Sequence, residues 1–175
     1  MIRCAITDGH GVAPSVISRV DWIQVREKEM PARTLTRLVS SLIGKGPKII
    51  VNSRLDVALA AGAQGVHLPA RSLAPWRLRP SAGAAFLIGV SCHSSADVLR
   101  AEAEGADYVY LSPIYASPSK PGYGPALGLD VLRETCALVR IPVLALGGVD
   151  EPRAAACLAA GAAGFASISA FAASE

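Results

Sequence analysis

Eight short apolar segments alternate along the chain with segments of helical periodicity, and this alternation predicts an α/β fold, a small (β/α)₈ TIM barrel. A recurring junction supports it, since a helix ends near a glycine and a strand follows at once in 61–66, 104–109 and 160–165. Apolar residues make up 51% of the chain, as expected for a parallel sheet covered on both faces. Because 175 residues are few for this fold, we expect one domain over 1–175 with trimmed first and last helices.

The predicted strands are short apolar runs that end in polar residues or glycine. They cover residues 2–7, 21–28, 48–52, 65–69, 85–90, 108–111, 143–149 and 164–170. An open doubly wound sheet is the rival arrangement, but so many strands would be unusual for it in a chain of this length.

The predicted helices lie between these strands, and their bounds follow from apolar spacing, prolines and glycines. They cover residues 12–20, 31–42, 54–61, 73–78, 95–104, 129–139 and 151–160, and only 171–175 remain for the eighth. Gly62 is a natural C-cap, and Pro80 is expected to break the fourth helix. Ser94 or Ser95 can cap the fifth helix at its N-terminus.

Charge and composition exclude several classes of protein. The formal net charge is +3 without a basic cluster, so nucleic acid is not an expected partner. No apolar run approaches the roughly 20 residues of a membrane span, and no signal peptide is recognisable, so we expect a cytoplasmic protein without a membrane partner. The four cysteines show no C-x-x-C spacing, which argues against a zinc site or a disulfide framework.

Polar and cationic residues collect at the carboxyl ends of the predicted strands, where (β/α)₈ enzymes hold their active sites. Arg26 and Lys28 alternate on one strand and therefore face the same way, which favours an anionic ligand. Gly147 and Gly148 let a ligand approach bare backbone N–H groups, and the loops after the last two strands of such barrels commonly bind phosphate. The sequence therefore predicts a site for a phosphorylated small molecule.

Two histidines and two lysines are candidates for direct roles in this site. His67 is either a general acid or base or a hydrogen-bonded core residue, and His93 either contacts the ligand or packs at a helix N-terminus. Lys28 is the third catalytic candidate. Lys120 lies in the Ser/Pro/Gly-rich loop 112–128, and because such loops tend to carry function we expect it to bind phosphate.

Six motifs together resemble the thiamine-phosphate synthase superfamily, which contains thiamine-phosphate synthases and TenI-like thiazole tautomerases. The motifs are Gln24-Val25-Arg26-Glu27-Lys28, Val51-Asn52-Ser53-Arg54, Gly65-Val66-His67-Leu68, Gly89-Val90-Ser91-Cys92-His93, Ser117-Pro118-Ser119-Lys120-Pro121 and Gly147-Gly148. They follow the family's order over residues 6–170. The resemblance implies a (β/α)₈ barrel, a role in thiamine biosynthesis and two ligand sites.

By this resemblance, each ligand has its own set of binding residues. The positions that match those holding the pyrimidine diphosphate are Gln24, Arg26, Lys28, Asn52, Ser91 and Lys120. The positions that match those holding the thiazole phosphate are Ser117, Ser119, Gly147, Gly148, Ile168 and Ser169.

Two positions depart from the synthase pattern, because Ser53 and Ser72 stand where that pattern has its Mg²⁺-binding aspartates. A hydroxyl is a poor substitute for a carboxylate on a hard cation, so no cofactor is expected, and Mg²⁺ only for a synthase. These serines favour the tautomerase, although Pro113 stands where that branch has its proton-transfer histidine. A synthase and a non-catalytic phosphate-ligand-binding or regulatory protein are the alternatives.

The expected partners follow from the same resemblance. They are a phosphorylated thiazole and, for a synthase, a pyrimidine diphosphate. A homodimer is also expected, because a missing eighth helix would leave part of the barrel wall for a second copy to cover.

Overall fold

In the computed structural model, which describes residues 1–9, 13–116 and 125–171, eight parallel strands close into a barrel in chain order. The strands are β1 (Ile2–Ile6), β2 (Trp22–Val25), β3 (Lys48–Asn52), β4 (Gly65–Leu68), β5 (Leu87–Cys92), β6 (Tyr108–Leu111), β7 (Val143–Ala145) and β8 (Gly164–Ser167). The pairing of β1 with β8, in which Ile2 lies opposite Gly164, closes the barrel. The predicted α/β barrel is confirmed.

Seven helices in the described residues surround the strands. They are α1 (Pro14–Ile17), α2 (Ala32–Leu42), α3 (Leu55–Ala61), α4 (Pro75–Ala82), α5 (Ser95–Ala103), α6 (Gly128–Leu138) and α7 (Glu151–Ala159). The first helix has only four residues, so its predicted trimming is confirmed. After β8, Phe171 is buried and stacks on Phe165 with ring centroids 5.5 Å apart, while 172–175 lie outside the described residues. No helix within the described ranges is both long and apolar enough to span a bilayer.

The core has two layers because successive side chains of a strand point to opposite faces. Val25, Val51 and Val66 belong to the layer between barrel and helices. The barrel interior is lined by a second cluster, with Cys4, Ile6, Trp22, Ile50, Tyr108, Tyr110, Leu144 and Ala166. Gly89 faces this interior, and any Cβ there would overlap the Tyr108 ring. Gly89 on β5 therefore leaves the space that the Tyr108 ring on β6 occupies.

Two helix ends follow their predicted capping residues. Gly62 ends α3 in the left-handed conformation with φ 74°, and the Ser94 side chain accepts a hydrogen bond from the Asp97 N–H at 3.1 Å. The predicted break at Pro80 is wrong, because α4 continues through it to Ala82. Pro80 lies near the end of a short helix, where its missing N–H removes a single hydrogen bond. Arg79 anchors the same turn by donating to the Phe86 carbonyl at 2.6 Å and pairing with Asp107.

Six strands end at different residues than predicted, and the shifts in β2, β5 and β7 matter for the site. β5 continues to Cys92, so Ser91 is a strand residue that lies opposite Tyr110 on β6. β2 ends at Val25, which places Arg26 and Lys28 beyond the ladder. β7 covers only 143–145, and the following residues leave the strand because both glycines adopt positive φ.

Candidate functional site

A cavity of about 460 Å³ lies where β2, β3, β4 and β5 end. Its lining consists of Arg26, Glu27, Lys28, Met30, Leu35, Asn52, Ser53, Arg54, Pro69 and Ser91. Three of these side chains are cationic, and Glu27 is the one carboxylate in the lining, while Asp8 and Asp56 pair with Arg26 and Arg54 from outside it. The lining itself carries an excess of positive charge that suits an anionic ligand. It brings together Arg26, Lys28, Asn52 and Ser91, which the sequence placed in one ligand site.

The loop after β1 holds the end of β2 in place. The Arg26 N–H donates to the Thr7 hydroxyl at 2.8 Å, and the Arg26 guanidinium forms an ion pair with Asp8. The Gly9 N–H donates to Oε2 of the buried Glu27 at 2.9 Å. Lys28 is exposed and forms no ion pair with any described residue. Its charge therefore remains available to an anion.

The amide side chains of Gln24 and Asn52 form a hydrogen-bonded pair, and Asn52 lines the cavity. Gln24 is buried near the carboxyl end of β2, and its Nε2 donates to Oδ1 of Asn52 at 3.0 Å. Asn52 in turn donates from Nδ2 to the Ser53 hydroxyl at 3.0 Å. Oε1 of Gln24 is buried and finds no hydrogen-bond partner among the described residues. A buried acceptor without a partner is costly, so this amide suits a ligand that brings an N–H or O–H donor.

Arg54 is a cavity residue to which the sequence analysis assigned no role. It precedes α3, and its guanidinium donates to both carboxylate oxygens of Asp56 at 2.9 and 2.6 Å. The guanidinium holds the pKa of Asp56 at about 2. This bidentate pair fixes an arginine at the cavity wall, where it can meet an anion. The sequence signal that could have identified Arg54 as a site residue is its position directly after Asn52-Ser53, at the end of a predicted strand.

His67 lies below the cavity and is not one of its lining residues. Its Nε2 is 2.9 Å from the Ser91 hydroxyl and its Nδ1 is 3.1 Å from the Tyr108 hydroxyl. Burial lowers the pKa of His67 to about 3, so the ring is neutral at physiological pH. Of the two interpretations of His67, this geometry favours the hydrogen-bonded core residue.

His93 lies just before α5 and also outside the cavity lining. Its Nδ1 is 2.9 Å from the Ser112 carbonyl oxygen, and its N–H donates to Asp97 at 3.1 Å. These contacts favour packing at the helix N-terminus. The neighbouring thiol of Cys92 is buried, and burial raises its pKa to about 12, which argues against a nucleophile.

A second group of predicted site residues follows β7 and β8, which are neighbours in the barrel. Gly147 and Gly148 have φ values of 91° and 63°, which L side chains rarely adopt. A Cβ on Gly148 would lie 2.8 Å from the Ala116 carbonyl oxygen. Ile168 and Ser169 follow β8 and are exposed. The loop positions Ser117, Ser119 and Lys120 lie outside the described residues.

Arg153 on α7 supports the glycine loop and was not singled out by its sequence. Its Nη1 donates to the Gly148 carbonyl at 2.7 Å, and its guanidinium carbon lies 5.0 Å from the centroid of the Tyr115 ring. The Tyr115 N–H donates to the Gly147 carbonyl at 3.0 Å. The two hydrogen bonds use backbone carbonyls, and within 1–9, 13–116 and 125–171 no bond takes the glycine N–H groups, which can therefore serve as donors for a ligand.

The donor set does not fit a magnesium site built on two carboxylates. Ser53 lines the cavity, but its hydroxyl accepts from Asn52, and Ser72 is exposed outside the lining. No cluster of three or more His, Cys, Asp or Glu side chains occurs within 1–9, 13–116 and 125–171. The positive charge at this site comes from arginine and lysine side chains.

Comparisons with known proteins agree on one family. The family model described as thiamine monophosphate synthase matches residues 7–171. The thiamine-phosphate synthase of Methanoculleus marisnigri is 47% identical over 154 residues, which cover 86% of this chain and 73% of that protein. The thiamine-phosphate synthase of Methanocella arvoryzae is 40% identical over 165 residues, covering 92% and 78%. A solved thiamine phosphate pyrophosphorylase from Pyrococcus furiosus superposes with a TM-score of 0.83 at 29% identity, covering 98% of this chain and 88% of that one.

Proposed function

The chain belongs to the thiamine monophosphate synthase family, and from this membership we propose that it is a thiamine-phosphate synthase. Its substrates are then hydroxymethylpyrimidine diphosphate and thiazole phosphate. The observation that carries the proposal is the cationic cavity at the ends of β2–β5, with Arg26, Lys28 and Arg54 in its lining. A diphosphate is the part of these substrates that such a lining suits best.

The proposed reaction exchanges one bond for another at the pyrimidine methylene carbon. The bond from this carbon to the diphosphate oxygen breaks, the diphosphate leaves with the electron pair, and the thiazole nitrogen attacks the resulting cation. Negative charge accumulates on the departing diphosphate, so cations fixed beside it lower the barrier. Arg26 and Arg54 are both held by carboxylate partners, while Lys28 pairs with no described carboxylate, which allows it to follow the leaving group.

A thiazole tautomerase is the second candidate, and Ser53 and Ser72 favour it because such an isomerisation needs no metal. The names of the relatives favour the synthase instead. A binding protein without turnover is the third candidate.

Turnover of the two substrates tests the proposal directly. The full chain is incubated with both substrates, with and without Mg²⁺, and the product is identified by its mass. Thiamine phosphate in either condition supports the synthase. No coupling, together with isomerisation of the carboxylated thiazole phosphate, would assign the tautomerase, and ligand binding without either reaction would leave the binding protein.

A matched pair of variants links turnover to the cavity. Lys28→Met removes a cation from the lining, whereas Lys45→Met makes the same change at an exposed turn outside it. We expect Lys28→Met to lower coupling by about tenfold or more and Lys45→Met to leave it unchanged. Equal rates in the two variants would contradict a diphosphate site in this cavity.

A further inference from the structure

A line of hydrogen-bonded and stacked side chains crosses the barrel interior and ends at the cavity. The Ser91 hydroxyl lies 2.9 Å from Nε2 of His67, and Nδ1 of His67 lies 3.1 Å from the Tyr108 hydroxyl. The ring centroids of Tyr108 and Tyr110 are 5.6 Å apart, and the Tyr110 hydroxyl lies 3.1 Å from the Cys4 sulfur. These five residues are called the interior relay below. Only Ser91 among them lines the cavity.

We propose that His67 is a positioning residue of this site: it donates from Nε2–H to Ser91, and this makes the Ser91 hydroxyl a donor to an anion in the cavity. Tyr108 completes the arrangement by donating its hydroxyl proton to Nδ1 of His67. The proposal rests on the proposed function only for the identity of the anion, a diphosphate.

The direction of the relay follows from the charge of the ligand. Phosphate oxygens accept hydrogen bonds and donate none, so Ser91 contacts them favourably only when it gives its own proton to them. Its oxygen is then free to accept, and the group within reach is Nε2 of His67. A neutral imidazole that carries its proton on Nε2 has a lone pair on Nδ1, which needs a donor, and the Tyr108 hydroxyl is in place.

The hydrogen bonds of the remaining relay members can run in the same donor-to-acceptor direction. With its proton directed to His67, the Tyr108 hydroxyl is left as an acceptor, and Tyr110 accepts from the Cys4 thiol. In the opposite direction Ser91 donates to His67, and the Cys4 thiol ends the chain on the Ala5 carbonyl at 3.8 Å. Ser91 would then present only lone pairs to the cavity, which phosphate oxygens would repel. An anion therefore selects the first direction.

The surroundings hold His67 neutral and in place, as a positioning role requires. Its ring stacks on Tyr110 with centroids 4.0 Å apart and is 2% exposed. Its hydrogen-bond partners in the described part of the chain are hydroxyl groups, and burial keeps its pKa far below neutrality. Gly89 is part of this arrangement, because any side chain there would displace the Tyr108 ring.

The tautomer of His67 is the direct test. The ¹⁵N spectrum of the full chain, labelled at histidine, is recorded free and with inorganic diphosphate, and His67→Gln assigns the signal. We expect diphosphate-bound His67 to carry its proton on Nε2. A proton on Nδ1 in the bound state, an imidazolium or the absence of any diphosphate effect on this signal would overturn the proposal.

A double-mutant cycle tests whether the relay acts through Ser91. We expect Ser91→Ala and Tyr108→Phe each to weaken inorganic diphosphate binding by about tenfold. Combining them should weaken binding no further than Ser91→Ala alone, because the donor that Tyr108 orients is already gone. Additive losses would overturn the proposal, since they would mean that Tyr108 acts by packing.

Tyr110→Phe is the matched control, because it removes a hydroxyl from a ring that is as buried as Tyr108 but contacts His67 by stacking and not by a hydrogen bond. We expect it to weaken diphosphate binding by less than about threefold, and an effect equal to that of Tyr108→Phe would contradict the proposal. Diphosphate binding and thiamine phosphate formation are measured separately. The expected tautomer without coupling would refute the proposed function alone, and coupling with the opposite tautomer would refute the relay alone.

Discussion

The two halves of the barrel mouth present different chemistry to a ligand. The ends of β2–β5 surround a cavity lined by charged side chains, of which Arg26, Glu27 and Arg54 are held by hydrogen bonds or ion pairs. The ends of β7 and β8 present backbone, with Gly147 and Gly148 packed directly on residues 113–116. A single substitution in the cavity half can therefore change the charge that a ligand meets and leave the backbone conformation intact. In the glycine half, a substitution of Gly147 or Gly148 must alter the backbone conformation itself.

The largest expected effect is on the glycine half. Gly148→Ala places a Cβ at φ 63° and 2.8 Å from the Ala116 carbonyl oxygen. We expect a loss of about 3 kcal/mol in the free energy of unfolding, measured by urea denaturation. Gly105→Ala is the control, because Gly105 also has positive φ but open space at its Cβ, and we expect it to cost about 1 kcal/mol. Equal losses would mean that the close approach of the two loops is unimportant.

The next largest effect is on the stability of the fold at acid pH, and it comes from His67, which lies below the cavity half. Folded His67 stays neutral down to about pH 3, whereas in the unfolded chain its pKa returns to about 6.5. The unfolded state therefore binds a proton first, and stability is lost as the pH falls through this window. Between about pH 7.5 and about pH 4.5, His67 should account for a loss of about 2.7 kcal/mol. His67→Gln should lack this part of the loss in urea denaturation, and identical pH dependence in the two proteins would contradict a neutral buried His67.

A smaller effect is expected from charge in the cavity. Arg54→Met removes a lining cation and leaves Asp56 without its partner, so we expect about tenfold weaker binding of inorganic diphosphate by calorimetry. Arg37→Met removes the same charge from an exposed position on α2 and should have little effect. Similar weakening in both variants would show that overall charge, and not the cavity, attracts the ligand.

The smallest expected effect tests whether a carboxylate at position 53 can create a Mg²⁺ site in the cavity. Ser53 has φ 61°, a conformation that Asp tolerates, so Ser53→Asp can introduce a carboxylate without refolding the turn. We expect about threefold weaker diphosphate binding without metal, because of repulsion, and recovery with Mg²⁺. Ser53→Asn, which is neutral and equally suited to the turn, is the control. Binding to Ser53→Asp that ignores Mg²⁺ would show that one carboxylate here is insufficient for a metal site.

The amino-acid sequence by itself determined the architecture and the general nature of the site. The alternation of segments and the glycine junctions are local patterns, and they correctly predicted a closed parallel barrel. The common edge of parallel strands explains why Arg26, Asn52 and Ser91 could be placed together without coordinates. Pro80 shows the limit of local rules, since contacts of Arg79 with other elements keep that helix intact.

Only the tertiary structure decided which side chains meet inside the barrel. His67 contacts Ser91 and Tyr108, which are 24 and 41 residues away in sequence, and Cys4 meets Tyr110 across 106 residues. Such pairs depend on barrel closure and on the register of eight strands, neither of which has a local signature. A histidine at a strand end is equally consistent with catalysis and with a buried support. Its depth and its partners decide between them, because burial keeps the imidazole neutral and its hydrogen bonds define its orientation.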